Sequence, residues 1–509
     1  MKLTKAILAV GISMLAGVAF ADTTGDIPAR PEKLVYKPLD FQPPKPADLR
    51  RVLPCGVPVY MAQSKEFPLV TITFTFKGGS YLEPEGKYGV AAATGAMMRR
   101  GGTTSKKAQD VDEELDFLAA NCSTNIGGIT ASATLNSLTS NLDQSFALFM
   151  DILRNPGFQM DKLDIYKSET IEQMKQRNDD ANTIAAREGP ALMYGREHFE
   201  GRVPTKVMIE SITADDLRAF HSKLFHPNNL IIGVVGDFEE AAMLDRLNKA
   251  LEGWPAGETI GDPPAPTQEV KPGVYQIEKD IPQGKFLIGM RGIKRDDPDA
   301  VAVQIMNDIL GGSGFTSRIM NRVRTEEGLA YSAGSFFRNK VYYPGEFAAY
   351  FQSKNSTCAL AAKICIDEIT KIRTTPVTED ELQVAKDAAI STFPRTFESK
   401  AATVNTFITD EWTHRPGDYW QTYRDKVKAL TTADIQQAAQ KHLDPAKLTI
   451  FIVGKWDDIS KGDLNGRATM KDIAGGEVTH LPLRDPFTDQ PLPVEPKPGA
   501  ETPKTQPTH

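Results

Sequence analysis

Seven histidines are scattered through the 509 residues: His198, His221, His226, His414, His442, His480 and His509. A histidine-based metal site on a helix usually needs two of them about four residues apart on one face, with a general base between them. Only His221 and His226 lie close together, and a spacing of five is poor for one face of a 3.6-residue turn. Both fall at a helix-to-strand joint and read as surface or turn histidines. The four cysteines carry no CxxC motif and none has a neighbouring base. Cys358 and Cys365 share a predicted helix, about 10.5 Å apart along its axis, beyond disulfide reach. Cys55 and Cys122 are left open as a pair. No G-x-S-x-G elbow occurs. The glycine-rich stretch Leu310 to Arg318 lacks the Gly-Lys-Ser/Thr of a phosphate loop and reads as a turn between packed helices. Basic residues number 59 and acidic ones 66, a formal charge of −7. With no basic run interleaved with aromatics, nucleic acid is excluded as a partner.

The elements that would position such residues come in two copies. Thr213-Ala-Asp, then Pro227 and an apolar run ending at Gly236, is echoed by Thr432-Ala-Asp, Pro445 and a run ending at Gly454. The two prolines, like the two glycines, are 218 residues apart. Each copy predicts a capped amphipathic helix, a turn and a buried strand. Asn155-Pro156 and Thr375-Pro376 form a second echo. A period this long is a duplicated domain, since solenoid repeats run about 20–50 residues. Val70, Ile72, Phe74 and Phe76 alternate with polar neighbours as a half-buried strand does, and Thr124 to Leu135 reads as another strand. Helices are predicted over 89–100, 107–121, 142–153 and 162–178. Each half is thus an α+β domain, an antiparallel-rich sheet with helices on one face.

Residues 1–21 read as a secretory signal peptide: Lys2 and Lys5, an apolar run too short to span a bilayer, then Ala19 and Ala21 before the cut. Its removal leaves 57 basic residues against 66 acidic, a charge of −9. No later stretch is long and apolar enough to span, so a periplasmic, membrane-free mature chain is expected. A proline-rich arm (22–46) precedes the first domain (47–253). A proline-rich linker (254–278) leads to the second (279–480). A tail (481–509) with eight prolines in 29 residues reads as disordered or wrapped along a surface.

Over residues 46 to 460 the chain resembles the M16 metallopeptidases, the pitrilysin-like family with an inverted zinc motif, in its short class of dimers built from clam-shell subunits. The carriers are Phe76-Lys-Gly-Gly-Ser80, Glu83-Pro-Glu-Gly-Lys-Tyr-Gly-Val-Ala91, Gly101-Gly-Thr103, Leu310 to Arg318, and Arg324-Thr-Glu-Glu-Gly-Leu-Ala-Tyr331. In active members a helix carries H-x-x-E-H, two histidines on zinc and a glutamate as base. The matching positions here are Ala92-Ala93-Thr94-Gly95-Ala96, with no lone pair at Ala92, Gly95 or Ala96. The third ligand, a glutamate on a later helix, is matched by Gln173, and an acidic residue seven earlier by Tyr166. Glu172 should point about 100° away. The resemblance therefore implies no metal in this chain.

Active members also use an arginine and a tyrosine of the second domain, seven residues apart, which reach the facing subunit's zinc. Arg324 and Tyr331 match both types and the spacing. The resemblance then implies a non-catalytic subunit of a heterodimeric peptidase. Its H-x-x-E-H partner holds the zinc, and the closed chamber admits peptides or unfolded polypeptide. Against this stand two readings, a purely structural subunit and a homodimeric peptide binder. At the residue level the plain alternative is Arg324 paired with Glu326 or Glu327 and Tyr331 at a strand edge.

Overall fold

A computed structural model describes residues 40–475 and 477–493; the signal peptide and most of the arm lie outside the described residues. The alternation read in the first half is realised in β3 (Leu69–Lys77). Its Val70, Ile72, Phe74 and Phe76 are fully buried, and Phe74 meets Phe149 edge-on at 5.4 Å. The segment predicted as one strand over 124–135 is instead a hairpin, β4 (Asn121–Ile126) and β5 (Thr130–Leu138). With β1 (Arg50–Val52), β2 (Pro58–Gln63) and β6 (Leu230–Gly236) they form a six-stranded sheet in the order β1-β2-β6-β3-β5-β4.

The second half repeats this with β7 (Gly273–Glu278), β8 (Gln283–Arg291), β9 (Ala330–Arg338), β10 (Glu346–Lys354), β11 (Thr449–Gly454) and β12 (Val478–Leu481), ordered β12-β7-β11-β8-β10-β9. Five positions of the two orders correspond. The sixth differs, because β1 comes from the chain's start and runs antiparallel, whereas β12 comes from its end and runs parallel. β7 occupies 273–278, residues assigned to the linker by composition; the apolar strand follows directly on Pro272. The repeated helix starts are Thr213 and Thr431, each in a reciprocal capping box with the aspartate three residues on.

Helices α1 (Val90–Arg100) and α2 (Met160–Lys175) belong to the first half's helical layer. Two others cross over. α3 (Ala181–Tyr194) buries Ala181, Ile184 and Ala185 against Ile277, Phe451 and Val453 of the second sheet. α4 (Lys400–Trp412) buries Val404, Phe407 and Ile408 against Tyr60 and Ala62 of the first. Gly233 on β6 permits this, since a Cβ there would lie 2.8 Å from Ile408 Cδ1. Each sheet is therefore covered on its second face by a helix of the other half, which helices on one face alone had not anticipated.

The start of the tail, read as disordered or surface-wrapped, wraps. Arg177 donates to the Pro486 carbonyl at 2.9 Å, Asn178 to that of Arg484 at 2.8 Å, and Phe487 packs on the first half's core. Residues 494–509 lie outside the described residues. All four cysteines are free, which settles Cys55 and Cys122 as unpaired. His221 and His226 are buried rather than on the surface: His221 stacks on Phe225 at 5.1 Å and bonds the Leu153 carbonyl at 2.8 Å.

Candidate functional site

The helix bearing the matched motif starts on a buried carboxylate. Glu83 accepts hydrogen bonds from the Gly89 and Ala91 amides at 2.9 and 3.0 Å and from Arg202 at 3.2 Å. Burial nevertheless holds its pKa above the ordinary glutamate range. This anchor was missed in the sequence, although Glu83 stands inside a recognised segment.

On α1, Ala92 is exposed and Ala96 half-buried, one turn apart and directed away from the core. Gly95 faces the sheet. A Cβ added to it would lie 2.7 Å from the Ile126 amide nitrogen of β4, and Thr124 donates to the Gly95 carbonyl at 2.6 Å. The helix lies against backbone, so no side chain fits at this position without moving α1 or β4. Gln173 is exposed on α2. Tyr166 packs against the first half's core. The nearby carboxylates are engaged, Glu169 by Arg100 at 2.9 Å and Glu172 by Lys175 at 2.5 Å. These residues do not fit a zinc ion. Among the described residues, one metal-like cluster exists elsewhere, Asp297, Asp299 and His442. There Lys441 lies 2.7 Å and His442 2.8 Å from the same Asp299 oxygen, an ion-pair arrangement.

In the second half the glycine-rich stretch is a turn, as expected. It begins as a wide helical turn, Asp308–Gly312, pressed onto β9: a Cβ at Gly311 would meet the Ser335 amide nitrogen at 2.5 Å. Arg318 forks onto Glu381 at 2.6 and 2.8 Å and fixes the far end. Phe315 projects from this turn, 65% exposed. Arg324 lies in a second wide turn, Asn321–Glu326, and Tyr331 near the start of edge strand β9, 83% exposed. The Arg324 guanidinium sits between two rings, 4.4 Å from the Tyr331 centroid and 4.7 Å from that of Phe315. It donates to the Tyr331 carbonyl at 3.0 Å. Glu326 and Glu327 are taken by Arg322 and Arg467, so among the described residues Arg324 forms no ion pair. The structure thus brings the two predicted residues together and adds Phe315, whose signal was an aromatic inside a glycine run. Beneath the turn, burial raises Asp308 to about 6.

Residues 59–200 match the model of the insulinase family, peptidase family M16, and residues 211–389 that of the peptidase M16 inactive domain. The chain belongs to the M16 peptidase family. Among M16 relatives, it is 26% identical over 404 residues to the non-peptidase homolog YmxG of Helicobacter pylori, covering 78% of this chain and 91% of that one. It is 25% identical over 292 residues to an uncharacterized zinc protease of Streptomyces coelicolor, covering 55% of this chain and 62% of the relative. A solved peptidase M16 inactive domain from Pseudomonas fluorescens superposes with a TM-score of 0.70 at 26% identity, over 80% of this chain and 97% of that one. A protease from Helicobacter pylori does so at 0.66 and 19% identity, over 79% and 98%. The α+β clam-shell with two homologous domains is therefore an M16 fold.

Proposed function

We propose that this chain is the zinc-less subunit of a two-subunit M16 peptidase. It cleaves nothing by itself, because its four motif positions offer neither ligand nor base. The partner carries H-x-x-E-H, the zinc and the general base. This chain contributes Arg324 and Tyr331 to that site and half of a chamber that admits peptides or unfolded segments. A periplasmic location, reached through the N-terminal signal, belongs to the same proposal.

One observation carries the reading. Arg324 and Tyr331 are joined to each other at the surface, Tyr331 83% exposed and Arg324 half-buried, and among the described residues Arg324 forms no ion pair. A tyrosine hydroxyl presented this way can donate to a carbonyl oxygen gaining charge, and the guanidinium fork can hold a substrate carbonyl or carboxylate. The names of the relatives, one a non-peptidase homolog and another a zinc protease, support pairing an inactive with an active chain.

The test is reconstitution. The chain is mixed with an H-x-x-E-H homologue from the same source, and chelator-sensitive cleavage of a quenched fluorescent peptide is followed. The expected result is no activity from either chain alone and activity from the pair. Tyr331→Phe should lower kcat about 10²-fold, the usual cost of one transition-state donor. Chelator-sensitive hydrolysis by this chain alone, or a pair indifferent to both Arg324→Ala and Tyr331→Phe, would refute the proposal. The second outcome would favour a structural subunit.

A further inference from the structure

The second sheet's inner face is only partly covered by α3. Between α3 and the outer strands lies a half-open groove of about 520 Å³, within the range of about 300–1,000 Å³ common for ligand sites. Its floor follows from the strand register. Leu287 pairs with Tyr350, and Gly289 with Ala348, which pairs in turn with Phe336. On the helix side, Ala185, Ala186 and Gly189 present almost no side chain, so the space stays open.

Charge within this apolar groove is confined to three residues. Arg338 and Glu346, at one end, neutralise each other at 3.0 Å. Lys285 lies six residues along β8 from Arg291, the partner of Glu346, and so about 20 Å from that pair at about 3.3 Å per residue. Among the described residues no ion pair or hydrogen bond engages its ammonium; its recorded contact is the face of Tyr350, 5.8 Å away. Burial pushes its pKa down, and no neighbouring charge contributes. A half-buried cation without a counter-ion is costly unless an anion joins it.

We propose that this groove binds the apolar C-terminal end of a short peptide, the terminal carboxylate accepting from the Lys285 ammonium. One unpaired cation calls for one anion, and the flanking Leu287, Phe336 and Tyr350 call for apolar side chains. The open side and the Asn182 side-chain amide at its rim suit peptide groups. The choice of a peptide rests on the peptide-handling role proposed above; the groove and its unpaired charge do not.

The test needs no partner subunit. The full mature chain is titrated with fluorescein-labelled Ala-Ala-Leu-Phe, as the free acid and as the C-terminal amide, and anisotropy is followed. The acid should bind about tenfold or more tightly, as expected of one charge-assisted bond. Lys285→Met should abolish that preference and Lys285→Arg keep it, while Ala186→Trp, which fills the groove at an exposed helix position, weakens both forms. Equal binding of acid and amide, a preference surviving Lys285→Met, or decanoate binding as tightly as the peptide acid would each overturn the proposal. A failed reconstitution with an H-x-x-E-H partner would leave these results standing, and the reverse holds too.

Discussion

Both halves press a helical segment onto an edge strand through a glycine, with opposite consequences. In the first, Gly95, at the position the family motif gives to its glutamate, packs on β4 and is closed off by backbone. In the second, Gly311 packs on β9, and the turn beyond it carries Phe315 outward to Arg324 and Tyr331. At position 95 the obstacle to a ligand or base is therefore the packing as well as the residue type. The β4 backbone lies where a side chain at position 95 would have to go, while in the other half Tyr331 stands exposed with Arg324 half-buried against it.

The inner sheet faces differ in the same sense. Beside the crossing helix the first half presents hydroxyls and amides, with Thr73 bonded to Thr134 at 3.2 Å and Asn136 to Thr71 at 2.8 Å. The second presents Leu287, Tyr350 and Phe336 with Lys285 among them. Duplication preserved the fold and let the two walls diverge.

The largest effect expected is from restoring the motif. The triple variant Ala92→His, Gly95→Glu, Ala96→His should lose about 3–5 kcal/mol, because position 95 is overpacked and a carboxylate is forced against backbone. Chemical denaturation reads the loss and metal analysis the absence of stoichiometric zinc; a stable, zinc-loaded triple variant would break the contrast between the halves.

Next, Gly95→Ala and Gly311→Ala should each cost about 1–3 kcal/mol. Only Gly311→Ala should also lower the activity of the reconstituted pair, since it moves the turn under Arg324. Equal effects on activity would mean that the two glycines do the same job.

A smaller effect concerns pH. Asp308 titrates near 6 in the folded chain and near 3.9 unfolded. Between those values the folded chain holds a proton that the unfolded chain has released, so stability falls as pH rises through that window. Asp308→Asn stays neutral throughout and should be more stable at pH 7 by about 1–2 kcal/mol, with a flatter profile between about pH 4 and 6. Thermal unfolding across pH checks this, and an unchanged slope would contradict it.

The smallest change should come from Phe315→Ala, which removes one ring from the guanidinium. At an exposed site such a contact is worth about 0.5–1 kcal/mol, so KM in the reconstituted pair should rise roughly two- to fivefold with kcat little altered. A collapse of kcat would mean that Phe315 acts on the reacting atoms.

Much of this was legible because the relevant signals are local. The period of two in β3, the repeated Thr-Ala-Asp helix starts, and the type and spacing of Arg324 and Tyr331 can be read from a few consecutive residues, although the second cap proved to be Thr431, one residue earlier than Thr432. The hairpin over 121–138 is hidden in the sequence, where 124–135 reads as one strand, since its turn, Gly127-Gly128, lies inside a continuous polar alternation. His221 and His226 were misplaced because burial depends on which segments cover them. For His226 the cover is Gly257, 31 residues on, where a Cβ would strike the imidazole ring.

The sequence by itself determined the duplication, the α+β class, and the residue types and spacing at Ala92, Gly95, Ala96, Arg324 and Tyr331. Each of these is a matter of residue type and short spacing, which the chain carries without folding. Only the tertiary structure decided that Gly95 is sealed against β4, that α3 and α4 exchange sheets, that the tail ties onto the first half, and that Phe315 completes the clamp on Arg324. It also left Lys285 without a counter-ion among the described residues. These are contacts between segments tens to hundreds of residues apart, set by how two faces pack, and no local pattern encodes which surfaces will meet.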